Sequence, residues 1–225
     1  MFTCEHASNV VPSWASVASD AERAILQDHW GWDIGALGVS RYLAESVASP
    51  LVSSTISRLI CDLNRNLDAP DLYRKECDGV ILSFNHNLSD EEREIRVALH
   101  ETFHGFVEDK VREKAPCGLV SIHSFTPVWR GVPRQLEVGI LFNRYEKTAQ
   151  RLAKELERSS IKVALNEPYS GFEDGVYSIE RHGLASETPY LELEIRQDLI
   201  ADVEGQKRWA ARLAPLMTSS LFAAG

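Results

Sequence analysis

The sequence predicts an α/β fold: a single domain over residues 1–225, with a mostly parallel mixed sheet and helices on both of its faces. Two observations predict it. Strand-like and helix-like segments alternate along the whole chain, which is the pattern of a covered, mostly parallel sheet. Three strand-like runs each close on a residue that can bind a metal or move a proton, and ligands of open α/β sheets bind outside the carboxyl ends of the strands. Those runs are Phe2–Cys4 leading to Glu5 and His6, Leu119–Ile122 leading to His123, and Pro189–Glu194 leading to Ile195 and Arg196.

The elements follow in order. Phe2–Cys4 is a short strand and Asp20–Gln27 a short helix. Asp33–Ala44 reads as a helix with Ala36, Leu37, Tyr42, Leu43 and Val47 on its apolar stripe and Asp33 at the N-cap; Pro50 ends it. Leu51–Ile56 and Leu59–Leu63 read as strands, and Asn66–Asp78 as a loop. Ser89 and Glu92 form a capping box that starts a long helix to about Lys114, stopped by Pro116. Leu119–His123 and Gln135–Phe142 are strands, Glu146–Arg158 an amphipathic helix, and Ile161–Leu165 a strand. Asn166–Ser186 is polar and glycine-rich and is expected to cover a site. Pro189–Ile195 is a strand, and Glu204–Phe222 a closing helix.

Composition narrows the function. Of 225 residues 44% are hydrophobic and 25% charged, ordinary for a soluble globular protein, and the net charge is −9. No basic stripe is present, which argues against a nucleic-acid partner. The four cysteines form no C-x-x-C pair, so neither a thiolate zinc site nor a redox motif is expected; Cys4, Cys61 and Cys117 read as small core residues of a cytosolic protein. No signal peptide and no membrane span are expected.

The residues at the strand ends carry the chemistry. Neutral imidazole is the commonest protein ligand for metals, and a catalytic zinc takes three protein ligands while keeping a position for water. His6 and His123 supply two; the third is a carboxylate, Asp33 or Glu5. Glu192, Glu194 and Arg196 are spaced by two and share one strand face, where a carboxylate is costly unless paired or functional. Glu194 is a candidate general base for metal-bound water, or one half of a structural ion pair. Arg58 and Arg65 flank the Leu59–Leu63 run beside Asn64, a set able to polarise a carbonyl and grip a substrate carboxylate, or simply to pair with surface acids.

One pattern competes. His100-Glu101-Thr102-Phe103-His104 fits H-E-x-x-H, the helical zinc-protease signature. It lies within a long continuous helix built like an ordinary packing helix, and no third ligand accompanies it; His104 is a possible site-lining residue.

With these residues in view, the chain resembles the N-formylglutamate amidohydrolase family. Thr3 to Asn9 followed by Pro12, Trp32 to Ala36, Ser57 to Leu59 running to Asp62 to Arg65, His123 to Pro127, and Glu192 to Leu199 match its blocks in order, from Thr3 to Ile200. That family is similar in fold to zinc carboxypeptidases and aspartoacylases, so the resemblance implies a zinc-exopeptidase-like (phosphorylase/hydrolase-like) fold. Those relatives place a glutamate ligand three residues after the first histidine; here that position is Asn9, and Asp33 is the expected replacement.

The resemblance implies zinc (Zn2+), or another divalent metal, on His6, Asp33 and His123. It implies Glu194 as base, Arg58 polarising the carbonyl, and Asn64 and Arg65 holding the substrate carboxylate. Arg196, Arg144 and His182 are further candidates for a second carboxylate or for closing the site. The implied substrate is a small N-acyl amino acid such as N-formyl-L-glutamate. The alternatives are an amidase or carboxypeptidase acting on short peptides, and a non-catalytic small-molecule binding protein, which Asn9 in a ligand position would suit.

Overall fold

The computed structural model describes residues 1–173 and 175–223; residue 174, within the expected covering segment, and residues 224 and 225 of the expected domain lie outside the described residues. In chain order the elements are β1 (Phe2–Cys4), α1 (Asp20–Gln27), α2 (Ala36–Ser46), β2 (Leu51–Ser53), β3 (Glu76–Cys77), β4 (Val80–Ile81), α3 (Asp90–Lys114), β5 (Leu119–Phe125), β6 (Val128–Trp129), β7 (Val132–Pro133), β8 (Val138–Leu141), α4 (Glu146–Arg158), β9 (Val163–Leu165), α5 (Tyr177–Ala185), β10 (Tyr190–Arg196), α6 (Val203–Leu213) and the four-residue α7 (Ser219–Phe222).

Six strands form one sheet in the order β2-β1-β5-β10-β8-β9, and β3/β4 and β6/β7 are separate hairpins. β2, β1, β5 and β10 run parallel, β8 runs against β10, and β9 follows β8. This is the mostly parallel mixed sheet that the alternating segments predict. Strand periodicity sorts the two faces. Phe2, Cys4, Val120, Ile122, Val138, Ile140, Leu191, Leu193 and Ile195 pack with residues of α2, α4 and α6. The alternate residues Leu119, Leu141 and Tyr190 face Phe103, Val107 and Val111 of α3 and Ile179 of α5. His123, Glu192 and Glu194 stand on that second face, near the carboxyl ends of the parallel strands.

α3 carries the predicted capping box: Ser89 Oγ accepts from Glu92 N–H, and Glu92 Oε2 accepts from Ser89 N–H. Other expectations are corrected. Leu59–Leu63 is not a strand. It is a buried irregular segment whose carbonyls find side chains rather than a ladder: Asn85 Nδ2 donates to Leu59 O, Arg96 Nη1 to Ile60 O, and His104 Nε2 to Leu63 O. The Asp33 side chain does not cap a helix. α2 starts at Ala36 behind Gly35, whose φ of +84° and 2.1 Å Cβ clearance to Ile200 O admit only glycine. Leu51–Ile56 contracts to Leu51–Ser53, and Gln135–Phe142 to Val138–Leu141. The segment read as a covering loop contains α5. The closing helix is broken by a 3-10 turn over Ala214–Leu216 that includes Pro215. Cys117, expected in the core, is exposed.

Candidate active site

β5 and β10 are neighbours with Ser121 opposite Glu192 and His123 opposite Glu194, so these side chains rise in register from one face of the sheet. His6 follows β1, the next strand over. Asp33 N–H donates to His6 O at 2.9 Å, which fastens the segment before α2 over the end of β1 and brings the Asp33 carboxylate to the two imidazoles.

Three atoms converge there. His6 Nδ1 lies 3.1 Å from His123 Nδ1, and Asp33 Oδ2 is 3.3 Å from the first and 2.7 Å from the second. Behind the rings stand further carboxylates. His6 Nε2 donates to Asp62 Oδ1 at 2.7 Å, and Asp62 Oδ2 accepts from Arg58 Nη2 at 2.6 Å. His123 Nε2 lies 3.2 Å from Glu5 Oε2 and 3.5 Å from Glu192 Oε2. Glu5 is itself held by the hydroxyls of Ser121 and Ser178, at 2.5 and 2.6 Å.

This arrangement fits a divalent cation. The His6 Nε2 proton goes to Asp62, and His123 Nε2 stands close to the Glu5 and Glu192 carboxylates without a hydrogen bond to either; protons on these outer nitrogens leave both Nδ1 lone pairs facing each other and an anionic oxygen. Three electron-rich atoms packed this closely repel unless a cation lies among them. The sides of their triangle also suit one face of a tetrahedron around zinc, where Zn–N bonds of about 2.0–2.1 Å separate the ligand atoms by about 3.3 Å. Among the described residues, His6, Asp33 and His123 form one group able to hold a metal, and His123, Glu192 and Glu194 another.

The electrostatics point the same way. Burial opposes charging His123, yet the charge of Glu192 and the contacts with Asp33 and Glu5 push its pKa well above the ordinary histidine range. Burial also opposes ionising Asp33, but the neighbouring imidazoles hold it far below the usual carboxylate range. Surroundings that draw a proton this strongly draw a cation for the same reason. Glu194 differs: burial first, then the Asp33 charge, pushes it up to about 7, against the pull of His123 and Arg58. Its Oε2 is buried and has no partner among the described residues. Burial pushes Glu192 up to about 8.

A cavity of about 720 Å3 opens over these groups; His6, Asp33, Arg58, His123, Glu192 and Glu194 line it. Arg65 and Asn64 line it as well. The Asn64 amide is used within the protein: Nδ2 donates to Glu192 Oε2 and Gly175 O, and Oδ1 accepts from Ser178 N–H. It ties its loop to β10 and to the start of α5 and is not available as the expected substrate grip. Arg65 Nη1 donates to Asn64 O, and its Nε donates to Asp71 at 3.4 Å.

The other candidates lie outside the cavity lining. Arg196 donates to the carbonyls of Arg134 and Leu136 and pairs with Asp198. Arg144 is exposed where the chain turns into α4. His182 on α5 is buried against His104, Nε2 to Nδ1 at 2.9 Å. The H-E-x-x-H histidines are likewise committed: His100 Nε2 donates to Arg65 O at 2.9 Å and His104 Nε2 to Leu63 O at 3.1 Å. They latch the loop that carries Asp62, Asn64 and Arg65 onto α3. His104 does not line the cavity.

Reading the sequence considered Glu5 only as an alternative to Asp33 in the ligand set, whereas it stands behind His123, and it gave Asp62 no role behind His6. Glu5 adjoins His6, and Asp62 lies four residues after Arg58, so both were in view. The signal available was the run of acids beside the ligands, not any spacing that assigns one acid to one ring.

The family model for N-formylglutamate amidohydrolase matches residues 1–201. A solved gene product from Agrobacterium tumefaciens is 34% identical with a TM-score of 0.87, over 96% of this chain and 88% of that one. An N-formylglutamate amidohydrolase from Ralstonia eutropha is 17% identical with a TM-score of 0.71, over 98% of this chain and 90% of that one, a likeness of fold. No curated protein matches the chain. With 201 of its 225 residues matched, the chain belongs to the N-formylglutamate amidohydrolase family.

Proposed function

We propose that this amidohydrolase cleaves the amide bond of an N-acylated acidic amino acid, such as N-formyl-L-glutamate, with a divalent ion, zinc, held by His6, Asp33 and His123. The observation that carries the reading is the convergence of two Nδ1 atoms and one carboxylate oxygen under a cavity that also holds the unpartnered Glu194 carboxylate. Zinc in such a site supplies Lewis acidity, lowering the pKa of water and polarising a carbonyl.

The residues of the chain do the rest. Glu194, with an affinity for protons suited to neutral pH, takes a proton from the attacking water. The water oxygen bonds to the acyl carbon, the C–N bond breaks, and Glu194 passes the proton to the departing nitrogen. The products are a free acid and an amino acid. Arg58 lines the cavity with its charge fixed by Asp62 and Asp33, and it is placed to stabilise negative charge on the carbonyl oxygen. Arg65 holds the substrate carboxylate. Asp62 and Glu5 orient the two imidazoles.

The test is release of formate from N-formyl-L-glutamate by zinc-loaded protein, lost on chelation and restored on adding metal. Full metal occupancy with no turnover of any N-acyl amino acid would overturn the reading.

A further inference from the structure

The cavity is larger than an N-formyl amino acid needs. Its volume of about 720 Å3 lies in the upper part of the range for drug-sized ligands, while the proposed chemistry uses only the floor. The rest is a rim of another composition. Trp30, whose indole N–H is fixed by Asp78 Oδ2 at 2.7 Å, carries the Arg74 guanidinium 5.4 Å over its ring. Trp129 and Arg130, from the β6–β7 hairpin, and Tyr169 join them; all of these line the cavity.

The guanidinium of Arg134 sits among three of the rings, 5.5 Å from Phe125, 5.4 Å from Trp129 and 5.9 Å from Tyr169. These pairs fix the rings and leave area uncovered: Trp129 is 39% exposed and Tyr169 45%. The cations differ in how far they are satisfied. Arg74 pairs with Asp71, and Arg134 donates to the carbonyl and hydroxyl of Thr126. Arg130 lies 5.7 Å from the Trp129 ring and has no ion pair among the described residues.

Fixed aromatic faces left open to water around a cavity mark a surface that a ligand covers, and a flat ring covers them with least loss of freedom. Cations beside those faces favour a ring attached to an anionic molecule. We infer that this rim is a specificity subsite for an aromatic ring. The inference rests on the hydrolase reading above: a ring on the acyl group narrows the substrate proposed there, and a ring on the side chain replaces its acidic side chain. The preferred substrate is an N-acyl amino acid that carries an aromatic ring, on either its acyl group or its side chain, in addition to its carboxylate.

The experiment compares kcat/KM of zinc-loaded protein on N-formyl-L-glutamate, N-phenylacetyl-L-glutamate and N-formyl-L-phenylalanine. The same panel is run on Trp129→Ala, Tyr169→Ala and the conservative Trp129→Phe. At least one aromatic substrate should exceed N-formyl-L-glutamate by about tenfold, the size expected of one good aromatic contact. Which of the two leads assigns the ring to the acyl group or to the side chain. The alanine variants should shrink that advantage severalfold, and Trp129→Phe should keep most of it. Equal or better turnover of N-formyl-L-glutamate overturns the subsite and leaves the hydrolase standing, as does an aromatic advantage unchanged in both alanine variants. No turnover of any of the three removes both.

Discussion

His6 and His123 meet Nδ1 to Nδ1 at 3.1 Å across 117 positions of sequence. A hydrogen bond to Asp62 turns His6 that way, and the Glu5 and Glu192 carboxylates stand beyond the far nitrogen of His123. The sheet order explains the meeting, since β1 and β5 are parallel neighbours with Phe2 opposite Val120 and Thr3 opposite Ser121, so His6, two residues past β1, comes level with His123 near the carboxyl end of β5. Asp33 then closes the triangle from the segment before α2.

If that triangle holds a divalent ion, each corner is needed. His6→Ala and His123→Ala should lose stoichiometric metal, read by elemental analysis after dialysis. Asp62→Asn keeps the ring contact but removes the charge behind His6. It should retain metal with an affinity about 10–100-fold weaker, measured by chelator competition. Retained stoichiometric metal in both histidine variants would defeat the site.

Glu194 lies outside the triangle, and the proposed mechanism uses it as a proton carrier. Glu194→Gln should therefore keep its metal while kcat falls by about 10²–10⁴, the usual span for removal of a general base. Near-normal turnover would take the role away from Glu194.

The histidine latch makes stability depend on pH. Burial, together with the nearby charges of His100, His182 and Arg181, pulls His104 down to about 3; burial and Arg181 pull His182 down to about 4. Both folded values lie below the ordinary 6.5, so in the window between them the unfolded chain binds protons that the folded chain refuses. The contribution of this pair should be complete above about pH 6.5 and be lost as pH drops toward 4, each imidazole contributing up to about 1.4 kcal/mol per pH unit, while the raised carboxyls of Glu192 and Glu194 contribute a slope of the opposite sign. Urea unfolding at pH 7, 6 and 5 reads the slope. His182→Gln should change the slope by up to one proton relative to the unsubstituted protein, a difference that isolates this imidazole from the carboxyls; an identical slope would show that the pair does not titrate there.

Much of this was legible in the sequence, for physical reasons. The periodicity that makes Val120 and Ile122 face one helical layer also puts His123 on the opposite face, so strand and ligand were read together. The α3 capping box was visible because its bonds are local. The Leu59–Leu63 segment was misread because its composition is strand-like, while its carbonyls are taken by Asn85, Arg96 and His104, partners that only the tertiary fold supplies. The same limit hid the pairing of His104 with His182 across 78 positions. Asn64 was read as facing substrate because nothing local shows Glu192 and Ser178 already using its amide.

Two glycines separate helix propensity from site geometry. Gly105 lies within α3, and a Cβ there meets nothing within 4 Å. Gly105→Ala should stabilise the protein by about 1 kcal/mol, the helix-propensity difference, and raise Tm by about 2–4 °C for a chain of this size. Gly139 on β8 is the opposite case. A Cβ there would stand 1.9 Å from Glu167 O, a backbone atom, next to Pro168 and Tyr169 of the cavity wall. It would also come within 3.4 Å of the Glu194 Cβ, which belongs to the residue paired with Gly139 across the sheet. Gly139→Ala must push that wall outward, so it should cost about 1–3 kcal/mol of stability, as overpacking does, and should lower kcat/KM as well. Thermal unfolding and kinetics on the two variants decide the matter. If Gly139→Ala matched Gly105→Ala in both, the close packing of the wall against β8 would have no part in shaping the site.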